Sequence, residues 1–258
     1  MSNRVVLIGS VAEEPHMEHG ALCVNLNINR QDLRKTEQIS VYTYEVDLIK
    51  KGIIGIHEGD LFVCDNAFIK TIPCKKIQEI VCSECHQIFY QEINSERTEV
   101  IFNSFSVIGK NIDFSKVNGV NKVFLEGNIT SDINYRPRSI TPNTSYIKYK
   151  LGINEYSYST DANYPFIVSF GKDADVASKN LHKGSRIFLE GSIQERKFKQ
   201  NVDFICPHCD CQAIKKVQSK VREVITSNVV FLDKSYNIAP PEHLQTNPKE
   251  ADINGESI

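Results

Sequence analysis

Two Cys-x-x-Cys pairs are the residues of this sequence with the clearest chemistry. Cys82 and Cys85 enclose Ser-Glu, and Cys206 and Cys209 enclose Pro-His. Such a turn brings two thiolates to the spacing that one Zn²⁺ ion accepts, and structural zinc takes four ligands in a tetrahedron. In a reducing compartment, clustered cysteines of this kind indicate metal binding rather than disulfides. We therefore predict structural Zn²⁺, with one or two ions per chain.

Two assignments of the zinc ligands are open. In the first, each pair binds its own ion, with Cys74, Cys82, Cys85 and His86 around one, and Cys206, Cys209 and Cys211 with His208 or Asp203 around the other. In the second, the two Cys-x-x-Cys pairs share a single ion. We favour separate ions, because the additional Cys and His beside each pair are otherwise unexplained. Free thiols in a reducing cell are the alternative to both.

Catalytic chemistry has little support in the sequence. The chain has no Gly-rich phosphate loop, no His-Glu-x-x-His and no nucleophile elbow. A zinc ion with four protein ligands also leaves no position for an activated water. We expect a protein that is not an enzyme.

The cysteine pairs lie at matching points of a sequence that repeats itself. Residues 3–9 return as residues 121–127, and residues 99–101 return as residues 223–225. Two copies of a module of about 110 residues fit ordinary domain sizes. We predict a first domain over 1–110, a second domain over 121–232 and a disordered acidic tail over 233–258.

Alternation of polar and apolar residues predicts five strands in the second copy. These strands are 121–131, 145–156, 164–171, 186–196 and 221–232. A helix over 173–181, with Asp173 as its N-cap, follows the third strand. Three strands, a helix and two strands is the order of the OB barrel. The predicted fold is all-β, with two tandem five-stranded OB barrels, each carrying a zinc-knuckle hairpin between its fourth and fifth strands.

Composition and charge point to a soluble protein with an anionic partner. The 258 residues are 41% hydrophobic and 24% charged, and no apolar run approaches the length of a membrane span. Residues 196–222 carry seven Lys or Arg against two Asp. Such a segment favours a polyanion, although a solvated surface explains a charge run equally well. The N-terminus shows no signal segment, so we expect a cytoplasmic protein without membrane association.

Three motifs of the second copy point to one family. They are the aromatic-rich segment 164–172, which ends in Phe-Gly-Lys, the Lys-Gly-Ser turn at 183–185, and the segment 189–198, which ends in Arg-Lys-Phe. Together they resemble the bacterial single-stranded DNA-binding protein family. The resemblance implies single-stranded DNA as the partner, and base-stacking roles for Tyr156, Tyr164, Phe170 and Phe198.

These residue types also suit the task for physical reasons. An unpaired base exposes a flat π-face, and covering it with an aromatic ring is worth about 1 to 3 kcal/mol, while Lys and Arg contact the phosphates. The cations that lie among the candidate rings are Lys148, Lys150, Arg196, Lys197 and Lys199. Any one ring can equally be part of the core, Phe170 above all, because it ends a continuous apolar strand.

We therefore expect a protein that binds single-stranded DNA with little sequence preference during DNA replication, recombination or transfer. It would act as a monomer or homodimer, with replication or recombination proteins as possible further partners. A primosome or recombination adaptor that works mainly through protein contacts and an RNA-binding OB protein are the alternatives. Binding to oligo-dT and to oligo-U discriminates among the three.

Overall fold

The computed structural model describes residues 2–30, 34–113, 116–139, 143–154 and 161–232. The predicted tail over 233–258 and the candidate stacking residue Tyr156 lie outside these ranges. The described residues form strands and two helices of 10 residues each, so the all-β prediction is confirmed. Neither helix has the length and apolar character that crossing a membrane requires.

The first half of the chain forms seven strands and one helix within the described ranges. They are β1 (Asn3–Val11), β2 (His16–Glu18), β3 (Ala21–Arg30), β4 (Lys35–Thr43), α1 (Val46–Gly55), β5 (Leu61–Val81), β6 (Ile88–Phe102) and β7 (Ser106–Gly109). The sequence did not predict α1, whose apolar Ile53 and Ile54 lie exposed and do not follow a one-sided helical pattern.

The second half repeats the order of the main elements, with an additional short strand (β11, Ala162–Asn163) before its helix and no described counterpart of β7 after its last long strand. Its elements are β8 (Val120–Ile129), β9 (Asn134–Arg136), β10 (Tyr146–Asn154), β11, β12 (Phe166–Phe170), α2 (Gly171–Asn180), β13 (Arg186–Ile205) and β14 (Gln212–Phe231). Helix α2 begins two residues before the predicted start, and no side chain caps it. Asp173 lies instead in the first turn, where its negative charge suits the positive end of the helix dipole.

Five strands close on one another in each half. The pairings run β1–β3–β4–β6–β5 and back to β1 in the first half, and β8–β10–β12–β14–β13 and back to β8 in the second. Each circuit has one parallel pair, β4 with β6 and β12 with β14, and is antiparallel elsewhere. Closure pairs the edges that an open sheet would leave exposed. That the two circuits are separate domains stays a prediction.

The two circuits are joined through β1 and β8. These strands pair antiparallel from Asn3 opposite Leu125 to Ile8 opposite Val120, with Val5 opposite Val123 between them. Because the sequence repeat aligns Val5 with Val123, each half presents the same strand position to the other. The pairing merges the described strands into one 14-stranded sheet, and a single hydrophobic core extends through both halves.

A long hairpin leaves each circuit between its fourth and fifth strands. We call residues 71–98, from β5 and β6, the first arm, and residues 196–221, from β13 and β14, the second arm. In the first copy the sequence predicts strands over 61–71 and 98–108 with none between them, yet the pairing of the first arm continues to Val81 opposite Ile88. In the second arm the pairing continues to Ile205 opposite Gln212. These residues form strands because they pair across the hairpin, although their sequence does not alternate regularly between polar and apolar residues.

The inner faces of the two arms pack on each other near their tips. Ile80 and Phe89 of the first arm and Phe204 of the second form a small buried cluster together with Cys82 and Cys206. The rings of Phe89 and Phe204 lie 5.5 Å apart. The arms therefore meet where the two Cys-x-x-Cys turns lie.

Candidate nucleic-acid interface and metal centre

Two phenylalanine rings line a groove between the arms. Phe166 lies on β12 and Phe198 on β13, and both side chains are half-buried. The groove has a volume of about 760 Å³, and its walls include Pro73 from the first arm and Val221 from the second. A half-buried ring on the floor of an open groove is held firmly and still presents a face to a ligand.

Two further predicted aromatic residues lie at the surface of the second half. Tyr164 is 41% exposed and Phe170 is 45% exposed. Phe170 is thus a surface ring rather than a core residue, and it contacts Tyr146 with the ring centres 5.6 Å apart. The backbone N–H of Tyr164 donates a hydrogen bond to Thr71 Oγ1 at the base of the first arm, 3.2 Å away.

Two of the predicted cations are held by one buried carboxylate. Lys148 Nζ lies 2.5 Å from Glu223 Oε1, and the Arg196 guanidinium donates two hydrogen bonds of 3.2 Å to the same carboxylate. Burial would raise the pKa of Glu223, but the hydrogen bonds from Arg196 and Lys148 outweigh it, so the pKa lies below its ordinary value. These two cations are therefore fixed in place, with part of their charge neutralised.

The cations also lie over the phenylalanine rings. Lys148 Nζ is 3.9 Å and Lys150 Nζ 5.0 Å from the centre of the Phe166 ring, and the Arg196 guanidinium is 5.4 Å from that of Phe198. Cation–π contacts of this kind orient both partners. Lys150 Nζ is in addition paired with Glu96 of the first arm, at 2.6 Å. Each ring is thus bordered by positive charge.

The remaining two predicted cations stand at the surface of the second arm. Lys197 and Lys199 are exposed, and neither has a carboxylate within salt-bridge distance among the described residues. They point to the opposite face of the hairpin from Phe198, because side chains alternate along a strand. Of the five predicted cations, these two carry the charge that a phosphate could most readily use.

Cysteines from both arms meet in one cluster. The sulfur atoms of Cys82, Cys85, Cys206 and Cys209 all lie within 4.8 Å of one another. Across the arms, Cys82 Sγ lies 3.7 Å from Cys209 Sγ, and Cys85 Sγ lies 3.6 Å from Cys206 Sγ. A tetrahedron with Zn–S bonds of about 2.3 Å has S–S edges of about 3.8 Å. The cluster can therefore hold a metal ion with little movement.

The two turns that carry these cysteines have the same backbone geometry. His86 follows Cys85 with φ 59°, and Asp210 follows Cys209 with φ 58°. In each turn the N–H of that residue donates to the carbonyl of the first cysteine, at 3.1 Å for Cys82 and 2.9 Å for Cys206. Hydrogen bonds from the Cys85 backbone N–H and then from Cys211 lower the pKa of Cys82 to about 6, whereas the pKa values of Cys85, Cys209 and Cys211 lie above their ordinary value.

The structure brings together the ligands of the shared site, not those of two separate sites. Cys74 lies opposite Ser95 on the first arm, eight residues before Cys82, or roughly 26 Å along an extended strand. His86 and His208 are exposed, and neither belongs to the group of mutually close ligand atoms. Cys211 is a fifth thiol, 3.2 Å from Cys82, and is the one residue of the separate-site assignment that also approaches the cluster.

A smaller group of metal-ligating side chains lies on the β2–β3 hairpin. One atom each of His16, Glu18 and Cys23 lie within 4.8 Å of one another. Burial raises the pKa of Cys23 to about 12, so its thiol is protonated at neutral pH, and Tyr42 donates a hydrogen bond of 3.2 Å to Glu18. With one neutral thiol and one carboxylate already bonded, we assign no metal to this group.

The second half of the chain is similar to one known family. Residues 120–232 match the model of the Single-strand binding protein family. The resemblance predicted from the motifs at 164–198 is thereby confirmed, and the match to this family ends with the last described residue.

Solved structures of single-stranded DNA binding protein from Thermus aquaticus have a similar fold. The wild-type protein is 14% identical with a TM-score of 0.58, and the match covers 97% of this chain and 97% of that chain. A deletion mutant of the same protein is 15% identical with a TM-score of 0.58, covering 92% and 98%. At this level of identity the likeness concerns the fold, and it supports the OB-fold prediction.

Sequence reasoning missed Phe166 as a candidate site residue. The signal was present, since Phe166 has the same strand parity as Tyr164 and Phe170 and therefore points to the same side. We add Phe166 to the candidate nucleic-acid-binding surface, beside the predicted Phe198.

Proposed function

We propose that the protein binds single-stranded DNA through the second half of the chain, with little sequence preference. One observation carries the proposal: Phe166 and Phe198 open into one groove, with Lys148, Lys150 and Arg196 over their rings, inside the residues that match the Single-strand binding protein family. Stacking on rings and contact with phosphates do not read base edges, so such a surface accepts most sequences.

The proposed role is to cover exposed strand during DNA replication, recombination or transfer. We further propose that the two halves are tandem OB domains, which the repeated order of elements and the two closed strand circuits support. Proteins of replication or recombination would be further partners. The basic second arm makes the second half the stronger binder, because the first arm has three Lys or Arg against four Glu.

A titration of labelled oligo-dT, oligo-U and duplex DNA at several salt concentrations tests this function. We expect tight binding of oligo-dT, whose log affinity falls by about 0.7 for each neutralised phosphate per tenfold rise in salt. Stronger binding of oligo-U would assign the surface to RNA. Negligible binding of either strand would favour an adaptor that acts through protein contacts.

We also propose that the cysteine cluster binds one structural Zn²⁺ shared by the two arms. Four thiolates in a tetrahedron suit zinc, and the distances between sulfur atoms of opposite arms support a single ion. Cys82, Cys85 and Cys206 would be ligands, with the fourth position taken by Cys209 or Cys211. Elemental analysis should find one zinc per chain. Two zinc ions per chain would favour separate sites, and none in protein prepared without chelator would end the proposal.

A further inference from the structure

The groove beside Phe198 is built from parts that are distant in the sequence. Phe166 comes from the second circuit, Phe198 and Val221 from the second arm, and Pro73 and Ser95 from the first arm. No single arm encloses it. Its width therefore depends on how the first arm is held against the second.

Few side chains hold the outer parts of the two arms together. At the tips, the apolar contact consists of Ile80, Phe89 and Phe204, with the cysteines beside them. Among the described residues, Lys215 Nζ of the second arm donates a hydrogen bond to the Glu79 carbonyl, 3.1 Å, and Arg222, just after the second arm, donates one to the Thr98 carbonyl, 3.2 Å. A cluster of five buried residues is a small core for keeping two long hairpins rigidly paired.

The cysteine cluster adds a contact of a different kind at the same place. Two of its four sulfur atoms come from each arm, so one metal ion bound by all four would link the arm tips directly. Metal binding to such a site is coupled to the conformation that brings the ligands together.

We infer that metal binding at the cysteine cluster closes the two arms and thereby sets the affinity of the groove for single-stranded DNA. The inference rests on the proposed function and extends it with a means of control. The occupant of the groove would be one or more unstacked bases, lying against Phe166 and Phe198. The backbone would reach Lys75 and Lys220 at the sides of the groove, in exchange for their exposed ion pairs with Glu92 and Glu195. A groove whose walls are already in place binds more tightly, because less freedom is lost on binding.

An effect of bound metal on DNA affinity requires an equal effect of bound DNA on metal affinity. If bound metal raises the affinity for DNA by some factor, then bound DNA raises the affinity for metal by the same factor. Couplings between two sites typically amount to about 5-fold to 150-fold. We expect a factor of roughly ten here, because the metal orders the first-arm wall while the rings belong to the second half.

The experiment compares three forms of the full chain. They are the zinc-loaded protein, the same protein after treatment with a chelator, and the variant Cys206→Ser with Cys209→Ser. Ser83→Ala, in the exposed turn between Cys82 and Cys85, is the matched control. One readout is the Kd for labelled oligo-dT at fixed salt. The second is the rate and extent of zinc loss to a coloured chelator, with and without unlabelled oligo-dT.

The expected result is a Kd about tenfold weaker for the stripped protein and for the cysteine variant, restored in the stripped protein by added zinc. Oligo-dT should slow zinc loss, and the Ser83→Ala protein should match the wild type. Equal Kd for loaded and stripped protein, both folded by circular dichroism, would overturn the inference and leave the proposed function intact. Absence of oligo-dT binding by the loaded protein would overturn the proposed function itself. Collapse of the whole fold on chelation would also count against a clamp that acts on the arms alone.

Discussion

Replacing Phe198 by leucine is the sharpest test of the stacking surface. Leucine fills much of the same space and keeps an apolar side chain in the groove, but it has no π-face for a base. Arg196 should stay in place, since its two hydrogen bonds to the buried Glu223 do not involve the ring. The change therefore removes stacking while leaving charge and packing largely as they were.

The expected loss follows from the number of bases that one ring can cover. Phe198 is half-buried in the groove, so we expect one base on its open face. The cost is then about 1 to 3 kcal/mol, or roughly 5-fold to 150-fold in Kd. Because no cation is removed, the slope of log affinity against log salt should not change. Plotted as log affinity against log salt concentration, the lines of Phe198→Leu and of the wild type should run parallel, about 0.7 to 2.2 log units apart.

Fluorescence anisotropy with labelled oligo-dT at four or five salt concentrations measures both the displacement and the slope. Tyr90→Leu is the matched control, because Tyr90 is an exposed ring of the first arm that lies outside the groove. It should bind as the wild type does. If Phe198→Leu folds normally and its line coincides with that of the wild type, the ring does not stack on a base and the reasoning fails.

Three further predictions concern charge, burial and pH. Lys220→Ala, at the side of the groove, should lower the salt slope by about 0.7 with little change in stability, whereas Lys148→Ala should leave the slope nearly unchanged and destabilise by about 1 to 3 kcal/mol, since it strips a partner from buried Glu223. Tyr149→Phe should raise the free energy of unfolding by about 1 kcal/mol in urea melts, because its buried hydroxyl has no hydrogen-bond partner within the described part of the chain. The lowered pKa of Glu223 contributes stability that is complete above its ordinary value of 4.5 and is lost as pH falls through the lowered pKa. Glu223→Gln should therefore flatten the stability curve below about pH 4.5, and an unchanged curve would contradict that assignment.

Local patterns of the sequence carried the prediction of the strands. In β10, alternate residues Ile147, Tyr149 and Leu151 are fully buried between half-exposed neighbours, which is the pattern that the sequence shows. The order of strands and helix then pointed to the OB barrel. The same reasoning failed on the first arm, where exposed apolar residues such as Ile77 and Tyr90 disturb the alternation.

Contacts between distant residues could not be predicted in this way. The shared cysteine cluster depends on where the two arms lie relative to each other, and the pairing of β1 with β8 sets that placement. The ion pairs of Lys148 with Glu223 and of Lys150 with Glu96 join residues 75 and 54 positions apart. The sequence alone identifies the charged residues, but it does not show which of them form ion pairs with one another.

The pairing of β1 with β8 around Val5 and Val123 affects how the protein behaves at low concentration. An interface between separate subunits loosens on dilution, whereas one built within a chain experiences a constant effective concentration. The two halves thus remain together at any expression level. Covalent tethering also lifts the demand for self-complementarity that a two-fold axis imposes on identical subunits. Arg4 faces Phe124 and Val6 faces Lys122, so the two related pairs keep a cation opposite an apolar residue while their exact residues differ.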